Sequence, residues 1–129
     1  MPQGAAEVFE ALAGYLRDQD IDIAAGTWKC ALLTDPITAL LDNETNPALG
    51  STNCNEVSGG SYAAISLTMS NTDVGGVVTL KLDTGTHTDG KITWAQDASG
   101  PTDIKSAIVY DDSATTPIDA AVCFIDLTA

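Results

Sequence analysis

The chain has 129 residues, 44% of them hydrophobic, with 18 acidic against five basic side chains and a formal net charge of −13. That length fits one domain, burying about two-thirds of the surface its unfolded form exposes. The charge repels phosphate backbones and anionic headgroups, and no apolar run approaches the roughly 20 residues that span a bilayer, so nucleic-acid binding and membrane insertion are not expected. The opening residues carry no basic stretch ahead of an apolar one, and Glu7, Glu10 and Arg17 interrupt the first apolar residues of the chain. A secretory leader is therefore not expected, and synthesis in a cytoplasm is.

In chain order, the first periodic signal is helical. Val8, Phe9, Leu12, Tyr15 and Leu16 share one face at i, i+1, i+4, i+7 and i+8, which predicts a helix over residues 4–18. Its apolar stripe needs a partner, either the body of its own domain or a neighbouring subunit. After Gly26-Thr27 the period changes to short β-prone runs separated by Gly, Asn, Asp, Ser and Pro. Strands are expected at residues 28–33, ended by Thr34-Asp35-Pro36, at 62–69 after the Ser58-Gly59-Gly60-Ser61 turn, and at 77–82, 92–94, 104–110 and 120–127. Residues 37–41 read as a helical turn, 42–55 as the longest loop, 84–90 as a turn and 111–117 as a hairpin connection joining the last two strands antiparallel. The expected fold is thus all-β: an antiparallel β-sandwich of about six to eight strands (residues 25–129) behind one N-terminal α-helical segment (residues 1–24).

Residue types that carry chemistry are few. His87 is the single histidine and falls in a polar turn, with no nucleophile signature such as Gly-x-Ser-x-Gly in the chain. Cys30, Cys54 and Cys123 form no Cys-x-x-Cys pair and neighbour no histidine, so they read as core thiols rather than zinc or redox ligands. Gly59-Gly60 and Gly75-Gly76 precede strands, not the helix N-terminus that a phosphate loop needs. Asp83, Asp97, Asp103, Asp111 and Asp112 have the oxygen chemistry of calcium ligands without EF-hand spacing, and turn capping explains the same residues. Trp28 and Trp94 read as core anchors. Neither catalytic residues nor a cofactor nor a metal is expected.

Several short runs have a familiar order: Trp28-Lys29-Cys30-Ala31-Leu32-Leu33-Thr34-Asp35, then Glu56-Val57-Ser58-Gly59-Gly60-Ser61-Tyr62, then Ile92-Thr93-Trp94, then Ala107-Ile108-Val109-Tyr110-Asp111-Asp112, and finally Cys123-Phe124-Ile125-Asp126. Over residues 26–127 the chain resembles the head decoration, or cement, proteins of tailed bacteriophages. It departs from that pattern at Cys30 and Cys123, where aliphatic or aromatic residues are usual, at Ser61, where the turn usually ends in Gly, and at Ala63-Ala64-Ile65, where Ala-Gly-Gly commonly follows the Tyr. The resemblance implies a non-enzymatic virion protein on the capsid exterior, homotrimeric, bridging subunits of the major capsid protein. Val8, Phe9, Leu12, Tyr15 and Leu16 are the expected protein interface; if that stripe lies at a subunit or capsid contact, changing Phe9 and Leu12 to Asp should abolish assembly and leave the β-body folded. The alternative is a tail or fibre module that binds a host receptor or carbohydrate through exposed aromatic and loop Asp residues.

Overall fold

A computed structural model describes residues 6–36, 38–39, 45–83 and 92–128. Six strands and one short helix follow in the order β1 (Ala6–Val8), α1 (Leu12–Asp18), β2 (Trp28–Leu33), β3 (Ile65–Val74), β4 (Val77–Asp83), β5 (Ser106–Thr115) and β6 (Ile118–Asp126). All neighbours are antiparallel, in the spatial order β1-β6-β5-β2-β3-β4. The two ends of β3 have different partners: Ile65 to Leu67 pair with β2, whereas Thr68 to Val74 pair with β4. The body is therefore a five-stranded sheet from which β3 runs on into a two-stranded arm.

The sheet is buried on both faces, which is why its central strands read as nearly continuous apolar runs rather than as clean alternations. One lateral row runs Val8, Cys123, Val109, Cys30, Ile65 across five strands. On that side Trp28, Leu32, Ala107 and Val122 join Cys30 and Val109 in a cluster closed by Tyr15, Ile21 and Val57. The next row, Glu7, Phe124, Ile108, Ala31, belongs to the opposite side. There Ala31, Leu33, Ile108, Tyr110 and Phe124 pack beneath Phe9 and Cys54. A bulge in the β5–β6 pairing opposes Val109 to Cys123 and Tyr110 to Ala121, leaving Val122 as the extra residue.

The covers on both faces come from non-strand segments and α1, so among the described residues the expected sandwich of two packed sheets is one sheet with loop and helix covers. Its long edges are blunted by short chain segments. Along β6, β1 takes residues 123–125, the Phe9 N–H reaches Val122 O at 3.0 Å, and Pro47 O accepts from the Ala121 N–H at 2.8 Å. Along β2, the Val57 N–H donates to Leu32 O and the Thr34 N–H to Asn55 O, both at 3.0 Å. These bonds occupy edge positions that would otherwise template another chain.

Several expected elements move. The helix spans Leu12–Asp18 instead of residues 4–18, because the chain before it is extended against β6. It ends at Gln19, which takes a left-handed conformation (φ 61°) and donates its N–H to Tyr15 O. Residues 92–94 belong to no strand among the described residues; Ile92 and Trp94 pack on the core. The β5–β6 ladder extends to Thr115 opposite Ile118, so the hairpin turn is only Thr116-Pro117 and most of residues 111–117 is strand. The Ala39 N–H bonds to Pro36 O at 3.0 Å, a single turn where one is expected. The remaining readings at residues 37, 40–44 and 84–91, His87 among them, lie outside the described residues.

Candidate functional site

The five residues of the expected interface do not stay together. Phe9 is buried at 4% exposure against Phe124, with ring centroids 4.9 Å apart and planes tilted by 51°. Tyr15 is buried in the other cluster, and its hydroxyl donates to Pro47 O at 3.1 Å. Burial, helped by the nearby Asp20 charge, pushes the Tyr15 phenol up to about 12. Leu12 is partly buried against the same cluster. Val8, 62% exposed on β1, and Leu16, 42% exposed on α1, are the members that face outward. Phe9, Leu12 and Tyr15 thus pack on the chain's own core, and changing Phe9 and Leu12 to Asp is expected to disturb the body itself. A period of 3.6 places all five on one helix face; here Val8 ends β1 and Phe9 follows it, and Leu12, Tyr15 and Leu16 alone lie on α1.

The runs behind the family resemblance are brought together by the fold, and each has a holding role. Tyr62 lies across the unpaired part of β2: its hydroxyl accepts from the Leu32 N–H and donates to Glu56 Oε1, each at 2.9 Å. Trp94 is nearly parallel to Tyr62, centroids 6.5 Å apart, and its Nε1–H donates to Ala63 O at 3.0 Å. Asp35 accepts from the Asn55 N–H at 2.6 Å. Lys29 on β2 and Asp112 on β5 form an ion pair at 2.8 Å. Trp28 is 3% exposed, a core anchor as expected.

Asp97 ties the Gly-rich turn to the loop after Trp94. Its Oδ2 accepts from Ser61 N–H and Ser61 Oγ–H, both at 2.7 Å, and its Oδ1 from the Ser99 N–H at 2.8 Å. The Ser61 hydroxyl first, then the Ser99 and Ser61 amides, hold the Asp97 carboxyl below the usual carboxylate range. Gly60 has φ +53°, and a Cβ there would overlap the Asp97 carboxylate, so this turn needs glycine twice over. Because the folded pKa is depressed, this contribution to stability is present above the unfolded value and is lost as pH falls through the folded one. Ser61→Ala is expected to move the Asp97 pKa back up toward the ordinary carboxylate value, as read by carboxyl-carbon NMR titration; an unchanged titration would contradict the bonding described.

Between this turn and the loop lies a cleft of about 260 Å³, lined by Leu32, Tyr62, Trp94, Pro101 and Ile104 together with the polar Ser61, Gln96 and Asp97. Of the aspartates weighed as calcium ligands, Asp97 is engaged as above, Asp111 within the body and Asp112 with Lys29. Among the described residues no three His, Cys, Asp or Glu side chains are placed to hold a metal ion. Also among the described residues, no helix is long and apolar enough to cross a membrane.

None of the three cysteines forms a disulfide among the described residues. Burial pushes Cys30 up to about 12 and Cys123 up to about 11, so neither supplies thiolate near neutral pH. A disulfide-exchange reagent at pH 8 is expected to leave Cys30 and the fully buried Cys54 unmodified in the folded protein and to label all three thiols in urea. Rapid labelling of Cys30 under native conditions would show that the sheet opens readily. No protein-family model matches this chain, and neither a curated protein nor a solved structure does.

Proposed function

We propose that the protein is a virion structural component that decorates the exterior of a tailed-phage capsid, bridging subunits of the major capsid protein as a homotrimer. The observation that carries this reading is the division of labour among the side chains. The runs that resemble cement proteins hold the body together, through the Tyr62–Glu56–Leu32 bonds, the Lys29–Asp112 pair and the buried β2 and β5 strands. Large apolar side chains face outward at the sheet edge, the helix and two hairpin tips: Val8, Leu16, Val74 and Ile118. Such residues suit association by buried apolar area, worth about 25 cal/mol per Å² before ordering costs. Many copies on one shell then act together through multivalency. The high negative charge keeps an abundant surface protein soluble and confines contacts to these apolar points.

The test is to add purified protein to particles that lack it and to image where density appears. Density at junctions between major capsid protein subunits is expected, and Val8→Asp with Leu16→Asp should remove it. Shells left bare by folded wild-type protein would overturn the proposal. A second reading, a tail or fibre module binding a host receptor or carbohydrate, is favoured by one feature, the half-buried Trp94 beside Tyr62 in an open cleft.

A further inference from the structure

We infer that the cleft between Tyr62 and Ile104 receives the side chain of an arginine presented by a partner polypeptide. Its walls are mainly aliphatic and aromatic, with Ser61 and Gln96 as neutral polar members, and Asp97 is the one charged residue among those lining it. That pairing of surfaces complements an aliphatic stem with a cationic head: methylenes lie on apolar walls while the head meets a carboxylate. The two rings are fixed as walls because their polar atoms are engaged, Trp94 Nε1–H with Ala63 O and the Tyr62 hydroxyl with Leu32 and Glu56. Aromatic faces attract a planar, weakly hydrated guanidinium more readily than a compact ammonium.

Asp97 is also equipped for the role. A carboxylate has about four acceptor positions. Three are filled, two on Oδ2 by Ser61 and one on Oδ1 by the Ser99 amide, which leaves Oδ1 able to accept again. These same bonds fix the carboxylate in place before a partner arrives, so little ordering remains to be done on binding. The net charge of −13 favours encounter with a basic partner. Size argues for one side chain: the cleft, at 260 Å³, lies below the roughly 300–1,000 Å³ of sites that enclose whole small molecules. A neutral sugar would require several free donors and acceptors converging there, whereas the Ser61, Tyr62 and Trp94 donors are already committed and Gln96 is the one other polar side chain in the lining. Any polypeptide that presents an accessible arginine meets these requirements, whether or not it belongs to a capsid.

The test is an NMR titration of the full chain with acetyl-Gly-Arg-Gly-amide, following the two indole N–H resonances, with Trp94→Phe used to assign them. Saturable movement of the Trp94 resonance is expected with that of Trp28 unmoved. The isosteric citrulline tripeptide should bind about tenfold more weakly or worse, since it loses the charge-assisted bond. Asp97→Asn should weaken the arginine peptide by a similar factor; the citrulline comparison, made on unaltered protein, decides the matter if that variant disturbs the turn. Equal binding of the two peptides, or no movement of the Trp94 resonance with the arginine peptide, would overturn the inference. Movement of Trp94 by a neutral oligosaccharide but not by the arginine peptide would overturn it too, in favour of the carbohydrate reading.

Discussion

Replacing Phe9 by Ala is expected to remove about 3–5 kcal/mol of stability, the range for deleting a buried phenyl ring. Phe9 fills the cover over Ile108, Phe124 and Leu33, and its tilted contact with Phe124 adds roughly 0.5–1.5 kcal/mol beyond area alone. The hole cannot easily collapse, because the segment is pinned by β1 pairing before it and by the Phe9 N–H bond to Val122 O. Urea unfolding followed by tryptophan fluorescence would measure the loss as a lower midpoint at constant slope. A change below about 1 kcal/mol would mean that this segment is not docked in solution. Val8→Asp with Leu16→Asp, both at exposed positions, should by contrast stay within about 0.5 kcal/mol per site. The two experiments separate what the N-terminal segment does for folding from what it offers a partner.

Asp111→Ala is expected to be comparably severe, at about 3 kcal/mol or more, because charge-assisted hydrogen bonds are worth roughly 1.5–3 kcal/mol each. Asp111 is 1% exposed, and its Oδ1 accepts from the Thr27 N–H at 3.0 Å and from the Ser113 N–H at 2.9 Å. The Ser113 hydroxyl adds a third bond to the same oxygen at 2.5 Å. The carboxylate thereby clamps the start of β2 to the far half of β5. Gly26 is the other half of this clamp: a Cβ there would lie 2.7 Å from Asp111 Oδ2 and 2.6 Å from Asp22 O. Gly26→Ala should therefore destabilise by about 1–3 kcal/mol through overpacking. Combining the two substitutions should cost less than their sum, since removing the carboxylate relieves part of the clash. Strict additivity in chemical denaturation would show that the two positions do not touch.

Much of this body was legible in the sequence, for identifiable reasons. β2 is bounded as expected because its apolar run is long, β-prone and closed by Asp35-Pro36. The antiparallel pairing of the last two strands follows from a turn-rich stretch between apolar runs. Other parts resisted. The polar run Ser70-Asn71-Thr72-Asp73 carries no apolar alternation, yet it is strand, because Gly75-Gly76, both at positive φ, fold it back on β4. That glycine pair between β-prone valines was the hairpin signal to read. Ile92-Thr93-Trp94 has strand composition but belongs to no strand among the described residues, since composition reports packing and says little of the ladder. The Tyr62–Trp94–Asp97 arrangement was out of reach, because it depends on a turn and a loop more than thirty residues apart meeting over β2.

The pairing of Ala6 with Ile125 has a kinetic meaning. Both hydrophobic clusters draw residues from near the two ends of the chain, Phe9 against Phe124 in one and Tyr15 with Val122 among the members of the other. The β3–β4 and β5–β6 hairpins can pair locally, but neither cluster is complete until almost the whole polypeptide is present. Such non-local topologies fold at the slow end, in milliseconds to seconds. A nascent chain still lacking β6 would meanwhile expose the apolar flank of β5, and it is at that stage, not in the finished molecule, that chaperones would find it.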